Sequence, residues 1–185
     1  MAVARGLLLA LLAVWSWRFV THPLNAAVVG DSFLHLINLP FHEAGHLFFA
    51  PFGSFMMSLG GSLTQVLIPV ICVVAFVRKP DLFGAAVAMW WAGQNLVDLG
   101  PYIADARSLS IVLLGGATGA EVEGHDWEAI LTTLGLMHRD RQIGMAAHML
   151  GSAIMAASLA AGAWLTWRDY PSSTRQTVPR PSPYS

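Results

Sequence analysis

The chain has 185 residues, 55% of them hydrophobic and only 11% charged, with a formal net charge of −1 at pH 7. An ordinary soluble domain carries roughly 25% charged residues, so this composition points to a bilayer, and the near-neutral balance without a Lys/Arg-rich run excludes a nucleic-acid partner. The single cysteine, Cys72, excludes an intramolecular disulfide and a cysteine-based zinc site.

A transmembrane helix needs about 20 mainly apolar residues, and four segments meet that need. Residues 6–20, GLLLALLAVWSWRFV, follow Arg5 as a signal-peptide core does. No small-x-small cleavage pattern comes after them, so they read as a retained first helix with Trp15 and Trp17 near an interface. Residues 59–77, LGGSLTQVLIPVICVVAFV, end at Arg78-Lys79-Pro80-Asp81, and residues 82–104 begin at once, which predicts a helical hairpin with a short charged turn. The loop 105–142 contains Gly124-His125-Asp126-Trp127 and then an amphipathic segment, with Trp127, Ile130, Leu131, Leu134 and Met137 at helical spacing. Residues 143–167 form the last span, rich in Ala and Gly, with Ser152 and Ser158 suited to close packing in lipid. Residues 1–167 thus make one membrane-embedded helical domain, and the Pro/Ser-rich tail 168–185 is expected to be disordered.

Charge in the short loops sets the orientation. Arg78 and Lys79 in the tight turn, with Arg168, Arg175 and Arg180 in the tail, put both on the cytoplasmic side of the membrane. Residues 31–55 must then leave and return on the outer face. Pro40 and Pro51 bracket ten residues there, enough for a helix of roughly 15 Å, about half the hydrocarbon thickness. The expectation is an all-α polytopic bundle of four transmembrane helices plus a short re-entrant or interfacial helix. The rival topology makes residues 34–57 a fifth span.

That short helix carries His42-Glu43-Ala44-Gly45-His46, an H-E-x-x-H pattern. Residues i and i+4 on a helix point the same way, so His42 and His46 can share one metal ion while Glu43 reaches a water bound to it. Two imidazoles plus one further protein ligand suit Zn2+, leaving a fourth position for a water whose pKa falls to about 7. Ionisable residues among Leu and Phe point to function, since burying each costs a few kcal/mol.

HEAGH in a membrane helix, with a later Asn95-x-x-Asp98-x-Gly100-Pro101, resembles the site-2-protease group of intramembrane zinc metallopeptidases. The resemblance implies that His42 and His46 bind zinc, that Glu43 is the general base, that Asp98 is a candidate third ligand and that Asn95 helps to hold substrate. The sequence reads LVDLGP where that group has Leu-Asp-Gly. GGSLTQVLIPV and GHDWEAILTTLGL also resemble parts of a group of small bacterial membrane proteins, a likeness that names a kind and no activity.

By position, the third ligand is open among Asp98, Asp105, His125 and Asp126, all on the outer side of this topology. Asp126 also suits the N-cap of the amphipathic segment, and Asp105 near Arg107 suits an interfacial ion pair. Gln65, Gln94 and Asn95 read as interhelical hydrogen-bonding groups, as does His148 in the last span. His22 and His35 read as exposed, and Trp90 and Trp91 as packing. The function expected is a zinc-dependent peptidase of an integral protein of the bacterial inner membrane, acting on a membrane-protein or peptide substrate; the rival is a metal-binding or structural membrane protein without turnover. The sequence leaves substrate and oligomeric state open.

Overall fold

The computed structural model describes residues 2–113, 115–121 and 124–175. Among these described residues seven α-helices run in the order α1 (Ala2–Val20), α2 (Ala26–Gly30), α3 (Phe33–Phe49), α4 (Ser54–Arg78), α5 (Leu82–Ala104), α6 (Asp126–Thr133) and α7 (Asp140–Arg175). Among the described residues there is no β-strand, and one isolated antiparallel bridge joins Val112 to Thr118. Ala2–Val20, Ser54–Arg78 and Met137–Asp169 are long and apolar enough to cross a membrane. α5, with 23 residues, reaches about 34 Å at 1.5 Å per residue. Its Gln94, Asn95 and Asp98 lower its hydropathy below that of the other three.

α5 is the most enclosed helix, with Trp90, Val97, Leu99 and Ile103 all buried. Glycines set its distance from α7: a Cβ on Gly93 would stand 2.7 Å from the Gly151 carbonyl, and one on Gly144 would stand 2.5 Å from the Gly100 carbonyl. The two glycines on each helix are seven residues apart, which lets the backbones touch along two turns. α1 contributes one stripe, Leu12, Ser16 and Phe19, and Ser16 Oγ accepts the Trp90 indole N–H at 2.8 Å. Its other face leaves Leu7, Val14 and Trp17 exposed, an apolar surface compatible with a membrane.

Arg5 pairs with Asp169 at 2.8 Å and lies over the Phe83 ring. The start of α1, the α4–α5 turn and the far part of α7 therefore share one end of the bundle. At the opposite end α2 and α3 form a hairpin. Leu24 approaches Gly100, Val28 packs into the Trp90 and Val97 core, and α3 then runs back antiparallel to α4. Gly45 and Gly60 bring α3 and α4 together, since a Cβ on Gly60 would stand 2.7 Å from the Gly45 carbonyl.

Three expectations need correction. α3 is 17 residues long and passes through Pro40, not the ten residues between the prolines. Interior proline costs a helix about 3 kcal/mol, but Leu34, Asn38, His42 and Gly45 form one buried face, so packing on both sides of Pro40 holds the helix together. Residues 34–57 are not one helix either, because a 3-10 turn at Ala50–Phe52 and Gly53 at φ 97° separate α3 from α4; the five-span alternative loses its continuous segment. Finally, α7 continues to Arg175, into the tail expected to be disordered, while residues 176–185 lie outside the described residues.

Candidate metal centre

α3 supplies the first two groups. His42 and His46 stand one turn apart with ring centroids 4.8 Å from each other, as i and i+4 side chains do. Each ring is held through Nδ1. His42 Nδ1 lies 2.9 Å from Gln65 Oε1, and His46 Nδ1 lies 2.8 Å from the Met57 carbonyl oxygen. Both partners are acceptors, so each Nδ1 carries the proton and each Nε2 presents a lone pair.

The third group comes from the first turn of α6. Asp126 Oδ2 is 3.1 Å from His42 Nε2 and 3.3 Å from His46 Nε2. The three ligand atoms lie within 4.8 Å of one another, so His42, His46 and Asp126 could hold a metal ion. Two nitrogen lone pairs and a carboxylate oxygen directed at one another repel unless a cation, a proton or a metal ion, lies among them. A tetrahedral site with arms of 2.0–2.1 Å has edges of about 3.3–3.4 Å, near the two distances found. The donor set therefore fits a small divalent cation. Gly61 of α4 forms the floor, because a Cβ there would stand 2.6 Å from His46 Nε2 and 2.7 Å from His42 Nε2.

Asp126 is itself held in place. The Tyr102 hydroxyl donates to Asp126 Oδ2 at 3.2 Å and accepts from the Asp126 backbone N–H at 3.1 Å. Burial raises the Asp126 carboxyl, but the adjoining His42 and His46 rings, once a further proton lies between an Nε2 and the carboxylate, outweigh it and hold the group below its ordinary range. α6 packs on α4, where Trp127 Nε1 donates to Ser62 Oγ at 3.1 Å, and its Ile130 and Leu131 are buried. The helix cap differs from expectation. His125, not Asp126, is the N-cap, its ring accepting from Glu128 N, which leaves the Asp126 carboxylate free to turn toward α3.

Glu43 is half-buried and lines the same cavity of about 1060 Å³ as His42, His46, Tyr102 and Asp126. Among the described residues it forms no hydrogen bond or ion pair, so its carboxylate is available to a ligand in that cavity. The other residues singled out in the sequence take separate positions. Asp98 is buried and accepts from His35 Nδ1 at 3.0 Å, Asn38 Nδ2 at 3.0 Å and Gln65 Nε2 at 2.8 Å. Asp105 caps the end of α5 and accepts from both Ser108 Oγ and Ser110 Oγ at 2.6 Å and from Ile111 N at 2.8 Å. His125 Nε2 lies 3.8 Å from Asp105 Oδ2, and burial keeps this imidazole below its usual pKa. None of these three belongs to the group with converging ligand atoms.

His35 is a further correction. It lies on α3, half-buried against Asp98, rather than in an exposed loop. Gln65 bonds between helices as expected, but its partners are His42 and Asp98. Asn38 was not singled out, although the spacing 35, 38, 42, 46 is one helical stripe that would have drawn attention to it. The fold and the site define an all-helical protein compatible with a membrane, carrying a His/Asp group able to hold a metal ion. Comparison with protein-family models, with curated proteins and with solved structures returned no match.

Proposed function

We propose that this protein is a membrane-embedded zinc metallopeptidase that hydrolyses a peptide bond in or beside the bilayer. The observation that carries the reading is the convergence of His42 Nε2, His46 Nε2 and Asp126 Oδ2 beside Glu43, a carboxylate in the same cavity that has no hydrogen-bond or ion-pair partner among the described residues. Two imidazoles and one carboxylate are the ligand type of catalytic zinc sites that keep a position open. Bound zinc would supply a Lewis acid that activates water near neutral pH and polarises a carbonyl. Glu43 accepts the proton of the attacking water and returns it to the leaving amine, the general acid–base role. Asp126, His42 and His46 hold their donor atoms still through Tyr102, Gln65 and the Met57 carbonyl.

In this reading α5 is a fourth span, and the α2–α3 hairpin enters from the outer face. The end with Arg78, Lys79 and Arg168 is cytoplasmic, and the membrane is the bacterial inner membrane. Exposed Leu47, Phe48 and Phe52 contact lipid, and the substrate is a peptide or membrane protein reaching the cavity from beside the bilayer.

The test uses full-length protein in detergent, its zinc content, and a quenched-fluorescent peptide library presented in bicelles. Glu43→Gln should keep zinc and lose cleavage by about a hundredfold or more, whereas His46→Ala should lose both. Failure of the wild-type protein to take up zinc would falsify the reading. Zinc uptake with no cleavage by wild type would leave a metal-binding protein without turnover.

A further inference from the structure

We propose that Asp98 is a positioning residue for the metal centre: acting through Gln65, it dictates which nitrogen of His42 carries the proton and so keeps His42 Nε2 free for a metal ion. The inference rests on the metallopeptidase reading and concerns groups outside the converging triad.

The directions of the hydrogen bonds fix the tautomer. An ionised carboxylate only accepts, and Asp98 Oδ2 takes Gln65 Nε2 at 2.8 Å. With its amide nitrogen committed there, Gln65 can offer only its carbonyl to His42, and Oε1 lies 2.9 Å from His42 Nδ1. His42 must then carry its proton on Nδ1. A reversed Gln65 amide would set oxygen against carboxylate at one end and would drive the imidazole proton onto Nε2 at the other, where it blocks coordination.

A second chain fixes Asp98 from the opposite side. The Trp91 indole N–H, which can only donate, gives to Asn38 Oδ1 at 2.9 Å. Asn38 Nδ2 must therefore face its acceptors, Asp98 Oδ2 at 3.0 Å and Gln94 Oε1 at 2.9 Å. A donor-only group at one end and an acceptor-only group at the centre leave neither amide free to reverse. Asp98, Asn38, Gln65 and Gln94 are all buried, so water is a poor substitute for any partner.

The experiment measures Zn2+ affinity by chelator competition on full-length detergent-solubilised wild type, Asp98→Asn and Asp98→Ala. Gln65 Nε2 and Asn38 Nδ2 converge on the same oxygen of Asp98, and His35 Nδ1 faces the other. Asp98→Asn can keep its amide oxygen at the point of convergence and offer its nitrogen to the His35 ring, so affinity should stay close to that of wild type. Asp98→Ala removes the acceptor altogether, and affinity should fall ten- to a hundredfold, the usual effect of losing such a supporting partner.

Wild-type affinity in Asp98→Ala overturns the proposal, as does a loss in Asp98→Asn as deep as that in Asp98→Ala, the result expected if Asp98 were itself a ligand. If Asp98→Ala does not fold, histidine 15N shifts of zinc-loaded wild type decide. They should place the His42 proton on Nδ1, and a proton on Nε2 overturns the assignment. Absence of zinc uptake by wild type is a separate result that removes the metallopeptidase reading and this inference together.

Discussion

Gly61→Ala adds one methyl group beneath the two imidazoles. Its Cβ would stand 2.6 Å from His46 Nε2 and 2.7 Å from His42 Nε2, while ordinary contact begins at 3.4 Å. His46 must therefore retreat by 0.8 Å (3.4 − 2.6) and His42 by 0.7 Å (3.4 − 2.7). Both rings are tethered at Nδ1 and cannot withdraw without breaking those bonds. Metal–ligand distances tolerate about 0.2 Å, so displacements of this size misplace both ligands. Zinc affinity should fall by about a hundredfold or more, with overpacking costing about 1–3 kcal/mol of stability. Chelator competition and thermal unfolding in detergent read the two effects separately. Gly6→Ala is the control, because its Cβ meets nothing within 4 Å. Wild-type zinc affinity in a folded Gly61→Ala protein would refute the account of how the rings are held.

Asp126→Asn should abolish near-stoichiometric zinc uptake, measured by elemental analysis, while leaving the helical circular dichroism signal intact. Tyr102→Phe strips the buried Asp126 N–H of its acceptor, which costs about 1–3 kcal/mol and should weaken zinc binding by about tenfold without eliminating it. Burial raises the Asp105 carboxyl, but bonds from Ser108, Ser110 and Ile111 prevail and hold it below its ordinary 3.8. A carboxyl depressed by folding stabilises the folded loop above its unfolded pKa and loses that contribution as pH falls through the folded value. Amide exchange in residues 105–111 should therefore accelerate below about pH 3.8 in wild type. In Asp105→Asn it should be fast with no such step, and a wild-type profile flat across acid pH would contradict this reading.

Helices were the most legible part of the chain. Apolar runs and the Arg78-Lys79-Pro80-Asp81 turn mark α4 and α5, because apolar segments of about twenty residues on either side of a charged turn are too long for strands and read as a pair of helices. The two imidazoles of HEAGH were legible for a similar reason, since their partnership is local to one turn. The third group was not. Asp126 reaches the site through the packing of α6 on α4, a tertiary contact with no counterpart in local spacing, and its sequence neighbourhood fits a helix cap equally well. Pro40 misled because propensity is a local quantity, whereas the Leu34–Asn38–His42 face is held by groups far along the chain. Asp98 was singled out for its chemistry, but its partners His35, Asn38 and Gln65 come from two other helices.

Zinc K-edge absorption on the purified full-length protein, compared with Asp126→Asn, bears on the whole account at once. The wild-type spectrum should show a four-coordinate site with two imidazole nitrogens, one carboxylate oxygen and one further light atom, and the variant should lose bound zinc. A wild-type spectrum lacking the two imidazoles, or one left unchanged by Asp126→Asn, would contradict it.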